Sequence, residues 1–225
     1  MPQGFRLVWE RPKDLTVLID RLFADPVFGP AIDRSRIGAA GFSLGGYTVV
    51  ALAGGRLNPT ELARFCESSQ RDFTCGPQPE FPEAEAELAK LVKDDPIVQE
   101  SLRHATDSYR DERVRAVFAI APVLGSGFTR EDLRDVRIPV HIVAGERDPI
   151  VPPPTNAQRF AQLIPQAKLT LLSGGVSHYT FLAVCAPEVT QAICKDEPGV
   201  DRSKVHTQVA QMAFELFESV WARKE

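Results

Sequence analysis

The stretch AAGFSLGGYTVV, residues 39–50, sets a serine between glycines where an apolar run gives way to a helix-forming one. Gly41-Phe42-Ser43-Leu44-Gly45 has the G-x-S-x-G spacing of a nucleophile elbow. A strand that turns at once into a helix leaves no room for side chains at 41 and 45, and the turn pushes the serine oxygen out of the sheet. The same turn aims the backbone N–H of Leu44, at a helix N-terminus, toward the place where an oxyanion would form. The chemistry this pattern serves is acyl transfer, with Ser43 attacking a carbonyl carbon.

A serine hydroxyl is a weak nucleophile at neutral pH. It needs a base, and the base needs a carboxylate to fix its tautomer. The chain has four histidines: His104, His141, His178 and His206. His141 falls inside an apolar strand pattern, His206 at the start of the last helix, and His104 in a polar excursion. His178, in GGVSHYTFL, sits in a loop just beyond a strand. For the carboxylate, GERDPIVPP offers Glu146 and Asp148. Asp148 is preferred, because Asp-Pro followed by an apolar, proline-rich run holds a carboxylate at a loop tip.

The elements that must position these three groups follow from hydrophobic periodicity. Residues 11–25 read as an amphipathic helix with Leu15, Leu18, Ile19 and Leu22 on one face. Residues 36–42 read as a short strand, 44–55 as a helix, 113–123 as a buried strand and 129–136 as a short helix capped by Thr129. A strand over 139–144, a helix over 156–165, a strand over 167–172 and a helix over 205–224 complete the pattern. Val209, Met212, Ala213, Leu216, Phe217 and Val220 form the apolar face of that last helix. Strand and helix alternate four times, which predicts an α/β fold with a mostly parallel sheet and a site beyond the carboxyl ends of its strands. Residues 56–113 break the alternation. They are polar and proline-rich, then strongly helical from Glu83 to Lys93, and read as a cap-like excursion on a single domain spanning 1–225. Phe65, Phe73, Phe81 and Leu102 in it are candidates for apolar contacts around a ligand, with local packing as the plainer role.

Composition narrows the function class. The net charge is −4 and no Lys/Arg cluster marks a basic face, which argues against a nucleic-acid partner. No apolar run approaches the ~20 residues of a membrane-spanning helix, and MPQGFRLVWERPKD lacks the apolar core of an export signal. The four cysteines fall into two local pairs, Cys66 with Cys75 and Cys185 with Cys194, each nine positions apart. Four unrelated thiols and two short-loop disulfides both fit this spacing. Zinc ligation fits it less well, since structural zinc sites use tighter pairs.

The chain resembles the α/β-hydrolase superfamily, and within it the bacterial dienelactone-hydrolase-like group related to platelet-activating-factor acetylhydrolases. The resemblance is carried by ERPKDLTVLIDRL, RIGAAGFSLGGYTVVALAGG, RVRAVFAIAPVLG, IPVHIVAGERDPIVPPPTNA, GGVSHYTFL and PGVDRSKVHTQVAQMAFELF. The order Ser43, Asp148, His178 is the order in which that fold carries its triad. The resemblance implies a serine hydrolase of small-molecule carboxylic esters that needs no cofactor or metal. It also implies paired cysteines, Cys66–Cys75 and Cys185–Cys194, and a periplasmic or secreted full-length form. The elbow carries serine where true dienelactone hydrolases carry cysteine.

The resemblance fails at the front. Relatives have a long segment before the ERPKDL helix, supplying further strands and the second oxyanion donor. The expectation is therefore a fold that is N-terminally incomplete, with an apolar sheet edge at 36–40 covered by a missing segment or by a second copy in a homodimer. A catalytically weak or inactive remnant serving as a binding scaffold, and an amide or peptide hydrolase, are the competing readings.

Overall fold

Four apolar runs form the sheet: β1 (Ile37–Phe42), β2 (Val114–Ile120), β3 (Val140–Gly145) and β4 (Lys168–Leu172). In the computed structural model all three pairings are parallel and the order is β1-β2-β3-β4. The structure describes residues 7–77, 84–186, 188–189 and 191–222. Phe81, the Glu83 start of the excursion helix and the last two positions expected of the final helix lie outside these residues.

Seven α-helices accompany the sheet among the described residues. They are α1 (Glu10–Ala24), α2 (Leu44–Leu52), α3 (Pro59–Glu67), α4 (Ala84–Asp94), α5 (Pro96–Arg103), α6 (Ala157–Leu163) and α7 (Arg202–Trp221). The chain is thus α/β, a parallel sheet flanked by helices.

The continuous apolar character of β2 and β3 has a direct cause: both faces are covered. Val117, Ala119, Ile142 and Ala144 share one core with Val49 and Val50 of α2 and Phe160 of α6. Phe118 and Val143, one residue out of phase, share the other with Leu172 of β4 and with Val205, Val209 and Phe217 of α7. Full burial of a side chain such as Phe118 contributes about 1.5–3 kcal/mol. β1 pairs with β2 alone, and no other described strand borders it.

The excursion divides into two parts. In its first half, α3 packs on a short 3-10 turn at Gly125–Gly127, just past the end of β2. The N–H of Asn58 donates to the carbonyl of Gly127 at 2.9 Å. In its second half, α5 lies beside the start of α1, where the Trp9 indole N–H reaches both the carbonyl and the hydroxyl of Ser101 at 2.9 Å. Both cysteine pairs are bonded: Cys66–Cys75 with Cα atoms 5.4 Å apart, and Cys185–Cys194 at 5.7 Å.

Three local expectations are corrected. Residues 129–136 form turns and no helix. Thr129 and Asp132 do make the cap-like contacts, the Thr129 hydroxyl donating to the Asp132 carboxylate at 2.6 Å. The Asp132 carbonyl, however, accepts from Arg56 of another segment at 3.0 Å, while the N–H of Val136 turns back to Leu133, three residues away. A helical ladder would have joined the two. On α1, Leu15 and Ile19 pack on the core, but Leu18 is half exposed, because α1 meets α2 along a narrow line. The last helix begins at Arg202, earlier than expected, because Asp201 caps it by accepting from the N–H of Lys204 at 3.1 Å.

Candidate active site

Ser43 stands between β1 and α2 with φ 56° and ψ −116°, a conformation non-glycine residues rarely adopt. Main-chain bonds hold it there, one of them from the N–H of Val123 to its carbonyl at 3.4 Å. Its N–H donates to the carbonyl of Ile120 at 2.8 Å, and its own carbonyl receives the N–H of Tyr47 at 3.2 Å. Gly41 is needed as expected, since a Cβ there would collide with the carbonyl of Gly45. Gly45 is not: a Cβ there meets nothing within 4 Å. The crowded residue is Gly46, whose Cβ would lie 2.8 Å from the Cα of Pro122. Adjacent helix positions point ~100° apart, so only the second faces the end of β2. Leu44 opens α2, and its N–H is one of the first four that find no acceptor inside their own helix.

Asp148 follows β3 and is buried. One carboxylate oxygen accepts the N–H groups of Ile150 and Val151 at 2.9 and 2.8 Å, the turn that Asp-Pro sets up. The other oxygen is left for an outside partner. Glu146, the competing carboxylate, is exposed to solvent.

His178 follows β4 through Gly174 and Gly175, both at positive φ (75° and 88°), which reverse the chain over the end of β3. The residue is 3% exposed. Its Nδ1–H donates to Asp148 Oδ2 at 2.8 Å, and its Nε2 receives the Ser43 hydroxyl at 3.0 Å. Phe42 covers one side of the ring at 4.7 Å between centroids. Three strand ends thus bring Ser43, His178 and Asp148 into one hydrogen-bonded line.

The remaining histidines lie elsewhere. His141 is buried in β3 against Thr170 and Phe118. His104 pairs with Glu100 and Asp107 on the surface, and His206 bonds to the carbonyl of Thr180. Of the excursion residues, Leu102 is partly buried against the core and Phe73 is 42% exposed. No group of three or more potential metal-ligating side chains occurs among the described residues.

Sequence reasoning missed two supports. Asp72, inside the Cys66–Cys75 loop, accepts from Thr155 and Asn156 just beyond Asp148, tying the excursion to the strand ends. Thr180, Asp196 and Arg202 form a second network behind His178. A trace of it was legible: Ser177-x-x-Thr180 has capping-box spacing.

No protein-family model matches the chain, and no curated protein matches it. Solved structures with similar coordinates include the carboxylesterase Cest-2923 from Lactobacillus plantarum WCFS1 (16% identity, 94% of this chain against 66% of that one, TM-score 0.42). They also include the enol-lactonase from Burkholderia xenovorans LB400 (14% identity, 92% against 71%, TM-score 0.40). A thermostable esterase is a third (16% identity, 72% against 28%, TM-score 0.35). The chain therefore spans less than two thirds of the length of the carboxylesterase and of the thermostable esterase.

Proposed function

We propose that this chain is a serine hydrolase of the α/β-hydrolase type that cleaves small carboxylic esters, in the dienelactone-hydrolase-like group its sequence resembles. The observation that carries the reading is the unbroken line Ser43 Oγ, His178 Nε2, His178 Nδ1, Asp148 Oδ2, with links of 3.0 and 2.8 Å. His178 takes the hydroxyl proton as Ser43 Oγ attacks the ester carbonyl. Asp148 holds the imidazole in the tautomer that leaves Nε2 unprotonated and stabilises the imidazolium that forms. The oxyanion of the tetrahedral intermediate accepts from the N–H of Leu44; one such donor is worth roughly 10²–10³ in rate. His178 then gives its proton to the departing alcohol oxygen. Water repeats the sequence on the acyl-Ser43 ester, releasing the carboxylic acid and restoring the hydroxyl. The first half of the excursion, anchored beside the strand ends through Asn58 and Asp72, forms one wall of the substrate cleft in this reading.

A fluorophosphonate probe and a series of p-nitrophenyl esters test it. The folded wild-type chain is expected to take the label and to hydrolyse the esters, and Ser43→Ala to do neither. Parallel p-nitroanilides separate ester from amide cleavage. A folded wild-type chain that takes no label and turns over no ester overturns the reading in favour of a binding scaffold.

A further inference from the structure

We propose that Thr180, Asp196 and Arg202 are positioning residues for His178, a brace at the head of α7 that sets where the imidazole stands. The inference rests on the catalytic reading above but is tested separately from it.

The segment that carries His178 has little regular structure of its own. Two glycines precede it, it makes a 3-10 turn at His178–Phe181, and among the described residues only one further 3-10 turn, Ala192–Cys194, comes before α7. Thr180, in that turn, is fully buried. Its hydroxyl donates to Asp196 Oδ1 at 2.7 Å and accepts the N–H of Ser177 at 3.1 Å, so one side chain fixes the residue before His178 and reaches across the loop. Arg202 Nε donates to the other Asp196 oxygen at 2.8 Å. The rest of that guanidinium donates to the carbonyls of Ala183 at 3.0 Å, just before the loop that Cys185–Cys194 closes, and of Ile193 at 3.1 Å, within it. One helical turn later, His206 Nε2–H donates to the carbonyl of Thr180 at 2.9 Å. Arg202 and His206 are four residues apart and so share a face of α7.

The buried charges are satisfied. Burial opposes ionisation of Asp196, but the hydrogen bonds from Arg202 and Thr180 and the Arg202 charge outweigh it and hold the carboxyl below its ordinary value. Asp196 therefore meets Arg202 as a carboxylate at neutral pH. Two of the brace's bonds, from the Thr180 hydroxyl and to the Thr180 carbonyl, end two residues from the imidazole, whose 3.0 Å approach to Ser43 must be held to a tolerance well under 1 Å.

The test compares Thr180→Val, which keeps the shape and loses the hydroxyl, with Thr180→Ser, which keeps the hydroxyl. Two readouts are followed: kcat and KM on a p-nitrophenyl ester, and the downfield proton resonance of the His178 Nδ1–H···Asp148 bond, assigned by its loss in His178→Gln. Thr180→Val is expected to lower kcat about 10- to 100-fold with KM nearly unchanged and to broaden or remove the resonance, since misplacement of about 1 Å costs up to 10² in rate. Thr180→Ser is expected to restore both. If Thr180→Val does not fold, Asp196→Asn, isosteric but uncharged, decides on the same readouts. A folded Thr180→Val or Asp196→Asn with wild-type kcat and a sharp resonance overturns the brace. Wild-type chain that shows the resonance but no turnover overturns the ester reading and leaves the brace to be judged by the resonance alone.

Discussion

The end of β3 presses against the loop that carries His178 at Gly145 and Val176: a Cβ added at Gly145 would collide with the carbonyl of Val176. Gly145 lies three residues before Asp148 and Val176 two before His178. This contact therefore sets the height at which the imidazole crosses above the carboxylate. Gly145→Ala is expected to lift the loop, costing about 1–3 kcal/mol of stability as an overpacked core substitution does. On the proposed ester-hydrolase reading it should also lower turnover by more than the loss of folded protein explains. Denaturant melts and kcat on the same preparation check both.

The elbow glycines make a second contrast. Gly45→Ala is expected to leave the protein unaffected or slightly stabilised, because its Cβ meets open space and alanine favours the helix. Gly46→Ala must push 2.8 Å against the Cα of Pro122, at the end of the neighbouring strand, and is expected to destabilise by about 1–3 kcal/mol. Thermal melts of the two variants should fall on opposite sides of the wild type or differ by several degrees. Equal melts would contradict the crowding at the Gly46–Pro122 contact.

His141 gives a pH dependence. Burial within the sheet lowers its pKa to about 4, aided by the nearby Lys168 charge and opposed by Glu215 across the helix packed on that face. The folded protein thus keeps His141 neutral at a pH where the unfolded chain has already protonated it. As pH falls from about 6.5 toward 4 the unfolded state binds the extra proton and stability is lost, by up to about 3 kcal/mol. His141→Asn, which does not titrate, should flatten the stability curve across that window relative to wild type. Chemical denaturation at pH 7 and pH 4.5 measures the difference. An equal slope in both proteins would show that His141 contributes nothing to it.

The strands were legible because each is buried on both faces or capped by glycines, and such runs stand out from a polar background. That Ser43, Asp148 and His178 would come together was legible for a related reason: a parallel sheet gathers its strand ends, so a polar residue just past an apolar run is already placed. Gly45 misled because the motif marks the glycine and only helix phase tells which one is crowded. The short helix at 129–136 misled because Arg56, distant in sequence, takes the carbonyl a helix would have used. Arg202 was invisible for the same reason. Its three acceptors lie at Ala183, Ile193 and Asp196, between β4 and α7, with no periodicity to announce them.

Ser43 and His178 are 135 positions apart in sequence, and His178 and Asp148 are 30. Each hangs from a different strand, and β2 lies between the first and the other two. The line of bonds therefore exists only where β1, β3 and β4 are in place together with β2 between them. Any signal drawn from that serine is a census of fully closed sheets, counted molecule by molecule.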